Sequence, residues 1–163
     1  MFNLKKFEIM ETKDLTKVAE IEISYKTKIK ASERPKIATS KEAAEIFRSF
    51  YKDEHIELRE EFKMMLLNRA NKVLGIVEIS TGGISGTVVD IRIMLATALK
   101  SLASSIILCH NHPSGNMIPS DQDKQLTSEM KQACLLCEIS LLDNIILSPE
   151  EDKYYSLADE GLL

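Results

Sequence analysis

Two histidines separated by one residue are the side chains of this sequence best suited to chemistry. His110 and His112 follow the short apolar run from Ser105 to Cys109. If the backbone stays extended there, both imidazoles project to the same side and can reach one metal ion about 2.0 to 2.1 Å away. Pro113 helps to hold that geometry, because the residue before a proline is biased toward extended conformations.

Asp123 is the expected third ligand of the same ion. Gly115 and Pro119 turn the chain back, and a helix beginning near Ser120 brings Asp123 to the end of the strand. Three such ligands leave a fourth position for water, which distinguishes a catalytic zinc site from a closed structural one. Taken alone, Ser120 and Asp123 also have the spacing of a helix N-cap with an acidic third residue, which needs no metal.

The elements that must position these residues alternate between strands and helices. Apolar or period-two runs predict the strands, and N-cap residues followed by apolar residues at helical spacing predict the helices. The predicted strands cover 18–29, 62–67, 73–79, 105–109 and 139–147, and the predicted helices about 40–51, 90–102 and 120–136. The helix after Asp90 is expected to be largely buried. Strands interrupted by helices indicate a layered α/β or α+β sheet.

Composition indicates one globular domain in a chain of 163 residues, with 44% hydrophobic and 28% charged residues. We expect an arm and an edge strand over 1–37 and the site-bearing domain over 38–163. The net charge of −4 argues against a surface built to neutralise phosphates. Lys26, Lys28 and Lys30 would share one strand face and keep a local nucleic-acid contact open, although a lysine-protected edge strand is the simpler explanation.

The cysteines point to a reducing compartment. Three cysteines cannot all pair within the chain, and the sequence shows neither a signal segment nor an apolar run that could span a membrane. A cytoplasmic protein is therefore expected. Cys134 and Cys137 are expected to pack in the core, and Cys109 to be buried on the strand face opposite His110. His55, in a charged connector, is expected at the surface.

The segment from His110 to Gly115 reads His-Asn-His-Pro-Ser-Gly, and together with Pro119, Ser120 and Asp123 it resembles the signature of the RadC family. This family is a bacterial branch of the JAMM (MPN+) metalloprotease-like domains, whose motif is His-x-His, seven residues, then Ser-x-x-Asp. The resemblance extends from about Ala38 to the C-terminus. It implies a three-layer α-β-α sandwich of the cytidine-deaminase-like (JAB/MPN) type with a mixed sheet, and a water molecule activated by zinc.

The resemblance also implies roles for residues outside the ligand set. An upstream glutamate serves as the general base in that family, and Glu61, directly before the strand that begins at Phe62, is the preferred candidate. Glu60 is the alternate and Glu78 a third choice, although without the resemblance Glu60 and Glu61 would be ordinary solvated charges. By resemblance, Ser120 would hydrogen-bond the developing oxyanion, so that its hydroxyl serves both as cap and in catalysis.

Two departures from the family pattern bear on function. Asp143-Asn144 stands where RadC proteins commonly carry Asp-His, so any role of that histidine is absent or replaced. The helix-hairpin-helix DNA-binding region usual in the family is not expected in the first 37 residues, which contain no glycine. Direct DNA binding by this chain is correspondingly less expected.

The ligand set and the resemblance together suggest three functions. The preferred one is a zinc-dependent metallopeptidase or isopeptidase acting on a peptide or protein substrate. The alternative is a DNA-repair or mobile-element accessory protein whose zinc site acts on nucleic acid or is structural. A zinc-bearing binding module without turnover would need only the ligands.

Overall fold

The computed structural model describes residues 29–83 and 86–163. The predicted arm, nearly all of the predicted strand 18–29, and the lysines Lys26 and Lys28 therefore lie outside the described residues. The division between 1–37 and 38–163 remains a prediction.

In the part of the chain that the structure describes, five strands form one mixed sheet that carries the candidate site. They are β1 (Glu61–Leu67), β2 (Val73–Thr81), β3 (Ser105–Asn111), β4 (Ser140–Leu147) and β5 (Tyr154–Ser156), in the spatial order β2-β1-β3-β4-β5. β3 and β4 run parallel, and every other neighbouring pair is antiparallel. The predicted β1–β2 hairpin is confirmed, and β3 is buried along its whole length, as expected of a strand covered on both faces. The three-residue strand β5 was not predicted.

Within the described residues, four helices cover the sheet: α1 (Ser40–Arg48), α2 (Asp53–Ile56), α3 (Ile91–Lys100) and α4 (Asp121–Leu136). Thr39 caps α1 and forms a capping box with Glu42, as its sequence favours. The short α2 lies in what the sequence indicated as a connector. None of the helices within the described ranges is both long and apolar enough to cross a bilayer.

The prediction that the helix after Asp90 is largely buried was wrong. Of the α3 side chains only Met94 and Ala98 are buried, whereas Ile93 and Leu99 are 54% and 50% exposed. The helix lies at the surface and contributes a single apolar stripe to the core, because its other side faces away from the sheet.

Two hydrophobic cores flank the sheet and complete the three-layer α-β-α sandwich. One core joins α1 and α2 to the strand face that carries Met65 and Cys109. The other joins α3 and α4 to the face that carries Phe62 and Met64. Cys109 is fully buried, and Cys134 is buried with Cys137 packed against its core, which confirms the core packing expected of the cysteines.

Candidate metal centre

The candidate ligands meet where β3 ends and α4 begins. His110 is the second-to-last residue of β3, and His112 follows directly after the strand. Gly115 then adopts a φ of +73°, a conformation that glycine takes without steric cost. The returning chain reaches Ser120, which is the N-cap of α4 and forms a capping box with Asp123. One strand, one loop and one helix start therefore supply the three predicted ligands.

The nitrogen and oxygen atoms of these three side chains converge on one point. The Nε2 atoms of His110 and His112 are 3.0 Å apart, and Nε2 of His110 is 3.2 Å from Oδ1 of Asp123. Nε2 of His112 lies 3.7 Å from Oδ2 of Asp123. Ligand atoms about 2.1 Å from a tetrahedral ion are about 3.4 Å from one another. The spacing thus fits a shared ion, and the His-His-Asp group could hold a metal.

The hydrogen bonds of the imidazoles suit metal binding through Nε2. Nδ1 of His112 lies against the carbonyl oxygen of Asn116, which can only accept, so Nδ1 carries a proton. Nε2, which faces Asp123, is therefore the nitrogen that a metal would take, and it would give up any proton it shares with Asp123. His110 is fully buried, and its Nδ1 has no hydrogen-bond partner among the described residues. Both rings therefore present Nε2 toward Asp123.

Asp123 divides its two carboxylate oxygens between the helix start and the histidines. Oδ2 accepts from the backbone N of Ser120 at 2.7 Å and from its Oγ at 2.6 Å, while Oδ1 faces His110. Burial alone would raise the pKa of Asp123, but hydrogen bonds from His110, His112 and Ser120 lower it well below its usual range. The carboxylate is therefore held in the ionised form that a metal ligand requires.

Ser120 acts as a helix cap in this structure. Its Oγ accepts from the backbone N of Asp123 at 3.1 Å and donates to Oδ2 of the same residue. Its side chain also lines the cleft in front of the histidines. The N-cap expected from the sequence is confirmed, and the oxyanion role stays a prediction.

Glu61 lies on the opposite face of the sheet from the histidines. Its side chain is 4% exposed and bonds to Lys63 at 2.8 Å, to Arg59 at 3.1 Å and to His55 at 3.2 Å. Glu78 also bonds to Lys63, at 2.8 Å. The structure therefore does not bring the preferred base or the third choice to the metal centre. His55, expected at the surface, is instead part of this ion-pair cluster, with a side chain only 21% exposed.

Glu60, the alternate base, lies on the face of the histidines. Phe62 is paired with His110 across β1 and β3, and alternation puts the residue two positions before Phe62 on the same side. Glu60 lines the cleft with His112 and Asp123. Burial raises the pKa of Glu60, although His110 and His112 oppose that shift. A raised pKa makes a carboxylate a better proton acceptor.

The cleft in front of the ligands has a volume of about 550 Å³. Val88 and Ile118, which are 92% and 71% exposed, line this cleft together with Glu60. A cleft of this size is in the range that accommodates small molecules or a short stretch of peptide.

Asn144 supports the helix that carries Asp123. Its Nδ2 donates to Oγ1 of Thr127 at 2.8 Å, and that hydroxyl donates to the carbonyl oxygen of Asp123 at 2.6 Å. Asn144 therefore connects β4 to the first turn of α4. The sequence drew attention to Asn144 only through the family pattern. Neither its residue type nor its spacing predicts the hydrogen bond to Thr127.

Comparisons with known proteins identify the family of this chain. The model of the RadC-like JAB domain matches residues 37–162. A UPF0758 protein of Flavobacterium johnsoniae is 46% identical over 103 residues, which cover 63% of this chain and 44% of the relative. One from Porphyromonas gingivalis is 44% identical over 105 residues, covering 64% and 46% of the two chains.

A longer match gives the same result. A UPF0758 protein of Chlorobium chlorochromatii is 34% identical over 155 residues, which cover 95% of this chain and 68% of the relative. In the first two relatives the matched part is less than half of the curated protein. The family-model match, the mixed sheet and the His-His-Asp cluster agree, and the chain belongs to the RadC-like JAB domain family.

Proposed function

We propose that this chain is a zinc-dependent hydrolase of the metallopeptidase or isopeptidase type, which cleaves an amide bond in a peptide or protein. The observation that carries the proposal is the tetrahedral spacing of the His110, His112 and Asp123 ligand atoms beside a cleft that Glu60 also lines. Three protein ligands leave one position open, which is the arrangement of catalytic rather than structural zinc.

Zinc suits the donor set better than the hard ions Mg²⁺ and Ca²⁺ do. Two imidazole nitrogens and one carboxylate oxygen are typical zinc ligands, whereas Mg²⁺ and Ca²⁺ prefer oxygen alone. Zinc bound there would supply Lewis acidity, which lowers the pKa of water and polarises a carbonyl group.

Glu60 is our candidate for the general base. Its carboxylate lies in the electrostatic reach of His110, His112 and Asp123, and its raised pKa suits reversible proton transfer. It would take a proton from the attacking water and pass it to the leaving nitrogen. Glu61 is better suited to a structural role, because Lys63 and Arg59 already occupy its carboxylate.

Ser120 is our candidate for oxyanion stabilisation. Its hydroxyl lies at the N-terminus of α4 and lines the cleft, where the helix dipole also favours negative charge. To donate to a developing oxyanion, the hydroxyl would exchange its bond to Oδ2 of Asp123 for one to the substrate. The backbone N of Ser120 would continue to hold that carboxylate.

The test combines metal analysis with a matched pair of variants. The zinc content of the purified full chain is measured, and the zinc-loaded protein is assayed against panels of fluorogenic peptides and lysine-linked isopeptides. Glu60→Gln is expected to retain zinc and to lower kcat by about 10²-fold or more. Glu61→Gln, a substitution one residue away on the other face, is expected to leave kcat within about threefold when assayed below its unfolding range.

Three outcomes would contradict the proposal. The first is a protein that does not bind zinc, and the second is a Glu60→Gln variant with intact hydrolysis. The third is a stoichiometric zinc protein that cleaves nothing in either panel, which would favour a binding module without turnover. Salt-dependent binding to DNA, combined with a lack of peptide cleavage, would support a nucleic-acid role instead.

A further inference from the structure

Asn111 lies between the two histidine ligands but points away from them. Alternation along β3 directs His110 toward the face with Phe62 and Asn111 toward the face with α2. The Asn111 side chain is completely buried. It therefore takes no part in ligating a metal, and its carboxamide must find its partners inside the protein.

Those partners are three backbone groups immediately before and at the start of β1. Oδ1 of Asn111 accepts from the backbone N of Glu61 at 2.8 Å. Nδ2 donates to the carbonyl oxygens of Ile56 at 2.8 Å and Arg59 at 2.9 Å. The carboxamide oxygen accepts one hydrogen bond and both hydrogens of its NH₂ group are donated, so each polar atom of the side chain has a backbone partner.

These bonds hold the backbone on both sides of Glu60. The antiparallel pairing between β1 and β3 ends at Phe62 and His110, and the Asn111 side chain takes over from the backbone at the next position. It bonds to Arg59 and Glu61, the two chain neighbours of Glu60. On the other side, the backbone N of Glu60 donates to Gly83 at 3.2 Å and its carbonyl accepts from Gly82 at 2.8 Å.

We propose that Asn111 is a positioning residue that holds the Glu60 carboxylate at the metal centre. The residue that separates the two ligands thereby also fixes the distance between the ligands and the base. This inference rests on the proposed function, in which Glu60 is the general base. It assigns to Asn111 a role that acts through Glu60 and requires no contact with metal or substrate.

The carboxamide can be tested with two variants of the full chain. Asn111→Asp keeps an acceptor for the Glu61 amide but cannot donate to Ile56 and Arg59, and Asn111→Ala removes all three bonds. We measure amide hydrogen exchange by NMR, zinc affinity by calorimetry, and hydrolysis with any substrate found for the wild type. Tyr51→Phe is the matched control, because it removes a buried hydroxyl that donates to the Glu61 carbonyl oxygen at 2.9 Å but leaves the Asn111 bonds intact.

In both Asn111 variants, the backbone amides of Glu60 and Glu61 are expected to exchange hydrogen at least about tenfold faster than in the wild type. The β4 amides of Ile145 and Ile146 should keep their protection. Zinc affinity should stay within about threefold, because the ligands are untouched. Activity should fall about 10²-fold in Asn111→Asp, and adding Glu60→Gln should cost little more, since both changes disable the same group. Tyr51→Phe should neither speed amide exchange at Glu60 and Glu61 nor lower the activity.

Unchanged exchange at Glu60 and Glu61 would overturn the proposal, as would acceleration spread evenly over the whole sheet. Additive effects of Asn111→Asp and Glu60→Gln would overturn it too, because independent effects add. If the wild type hydrolyses nothing, the proposed function fails on that result. The exchange measurements then still decide whether Asn111 fixes the Glu60 segment, because they need neither substrate nor metal.

Discussion

Phe62 and His110 face each other across neighbouring antiparallel strands, with ring centroids 5.7 Å apart and ring planes within 6° of parallel. Phe62 is 1% exposed and His110 is fully buried. Stacking against a fixed aromatic ring restricts the rotation of the imidazole. A hydrophobic side chain on another strand therefore helps to orient the first candidate ligand.

Replacing Phe62 with leucine should leave the imidazole ring of His110 less firmly oriented. We expect Phe62→Leu to weaken zinc binding by about tenfold, in the range found when the groups that orient a ligand are lost. Met64→Leu is the control, because Met64 is equally buried on the same face of β1 and that substitution conserves volume. Calorimetric titration with zinc compares the two variants, and equal affinities would show that the stacking does not orient His110.

Losing Lys63 should destabilise the fold, because Lys63 connects the ion-pair cluster on the face opposite the histidines. It is 3% exposed, bonds to Glu61 and Glu78, and lies 4.6 Å over the Tyr51 ring. Lys63→Met should lower the free energy of unfolding by about 3 kcal/mol, since a buried carboxylate loses its main partner. In urea unfolding, Glu61→Gln combined with Lys63→Met should recover part of that loss. Strictly additive losses would contradict the coupling.

The same cluster predicts how stability depends on pH. Burial alone would raise the pKa of Glu61, but hydrogen bonds from Lys63 and Arg59 lower it overall. A lowered pKa in the folded state contributes stability above the ordinary glutamate pKa of about 4.3, and that stability is lost as the pH falls through the folded-state pKa. Urea unfolding between neutral and acid pH should therefore show a smaller acid loss in Glu61→Gln than in wild type. Identical pH profiles would contradict the assignment.

Two substitutions of Ser120 should distinguish its role as a helix cap from its proposed role in oxyanion stabilisation. Ser120→Ala removes the N-cap of α4 and should cost about 1 kcal/mol in thermal unfolding. If the hydroxyl also stabilises an oxyanion, kcat should fall by about 10²-fold. Ser120→Thr keeps a hydroxyl and a capping residue, so its thermal stability and its kcat should both stay close to those of the wild type. A loss of stability with unchanged kcat would limit Ser120 to capping.

Much of the candidate site could be predicted because its residues are close in sequence. His110, His112, Ser120 and Asp123 belong to one strand, loop and helix start, where spacing alone limits the geometry. Their motif also carries the family resemblance, which the match to residues 37–162 confirms. Strand and helix types followed from apolar periodicity and from caps such as Thr39.

The choice between Glu60 and Glu61 could not be made in the same way. Successive strand residues point to opposite faces, so a shift of one position reverses the answer. The pairing of Phe62 with His110 shows which glutamate lies on the face of the histidines, and that long-range register is not contained in one sequence. The contacts of Asn111 were missed for the same reason, because they join segments about fifty residues apart in sequence.

The short path from His110 to Asp123 also bears on the order of folding. Loop closure costs little entropy when the groups are near in sequence, and local contacts form early. The ligand cluster can therefore assemble as soon as β3 docks on the start of α4, whereas Glu60 arrives only when β1 pairs with β3. If the site binds zinc as proposed, zinc added during refolding should stabilise the β3–α4 unit before the hairpin has joined the sheet.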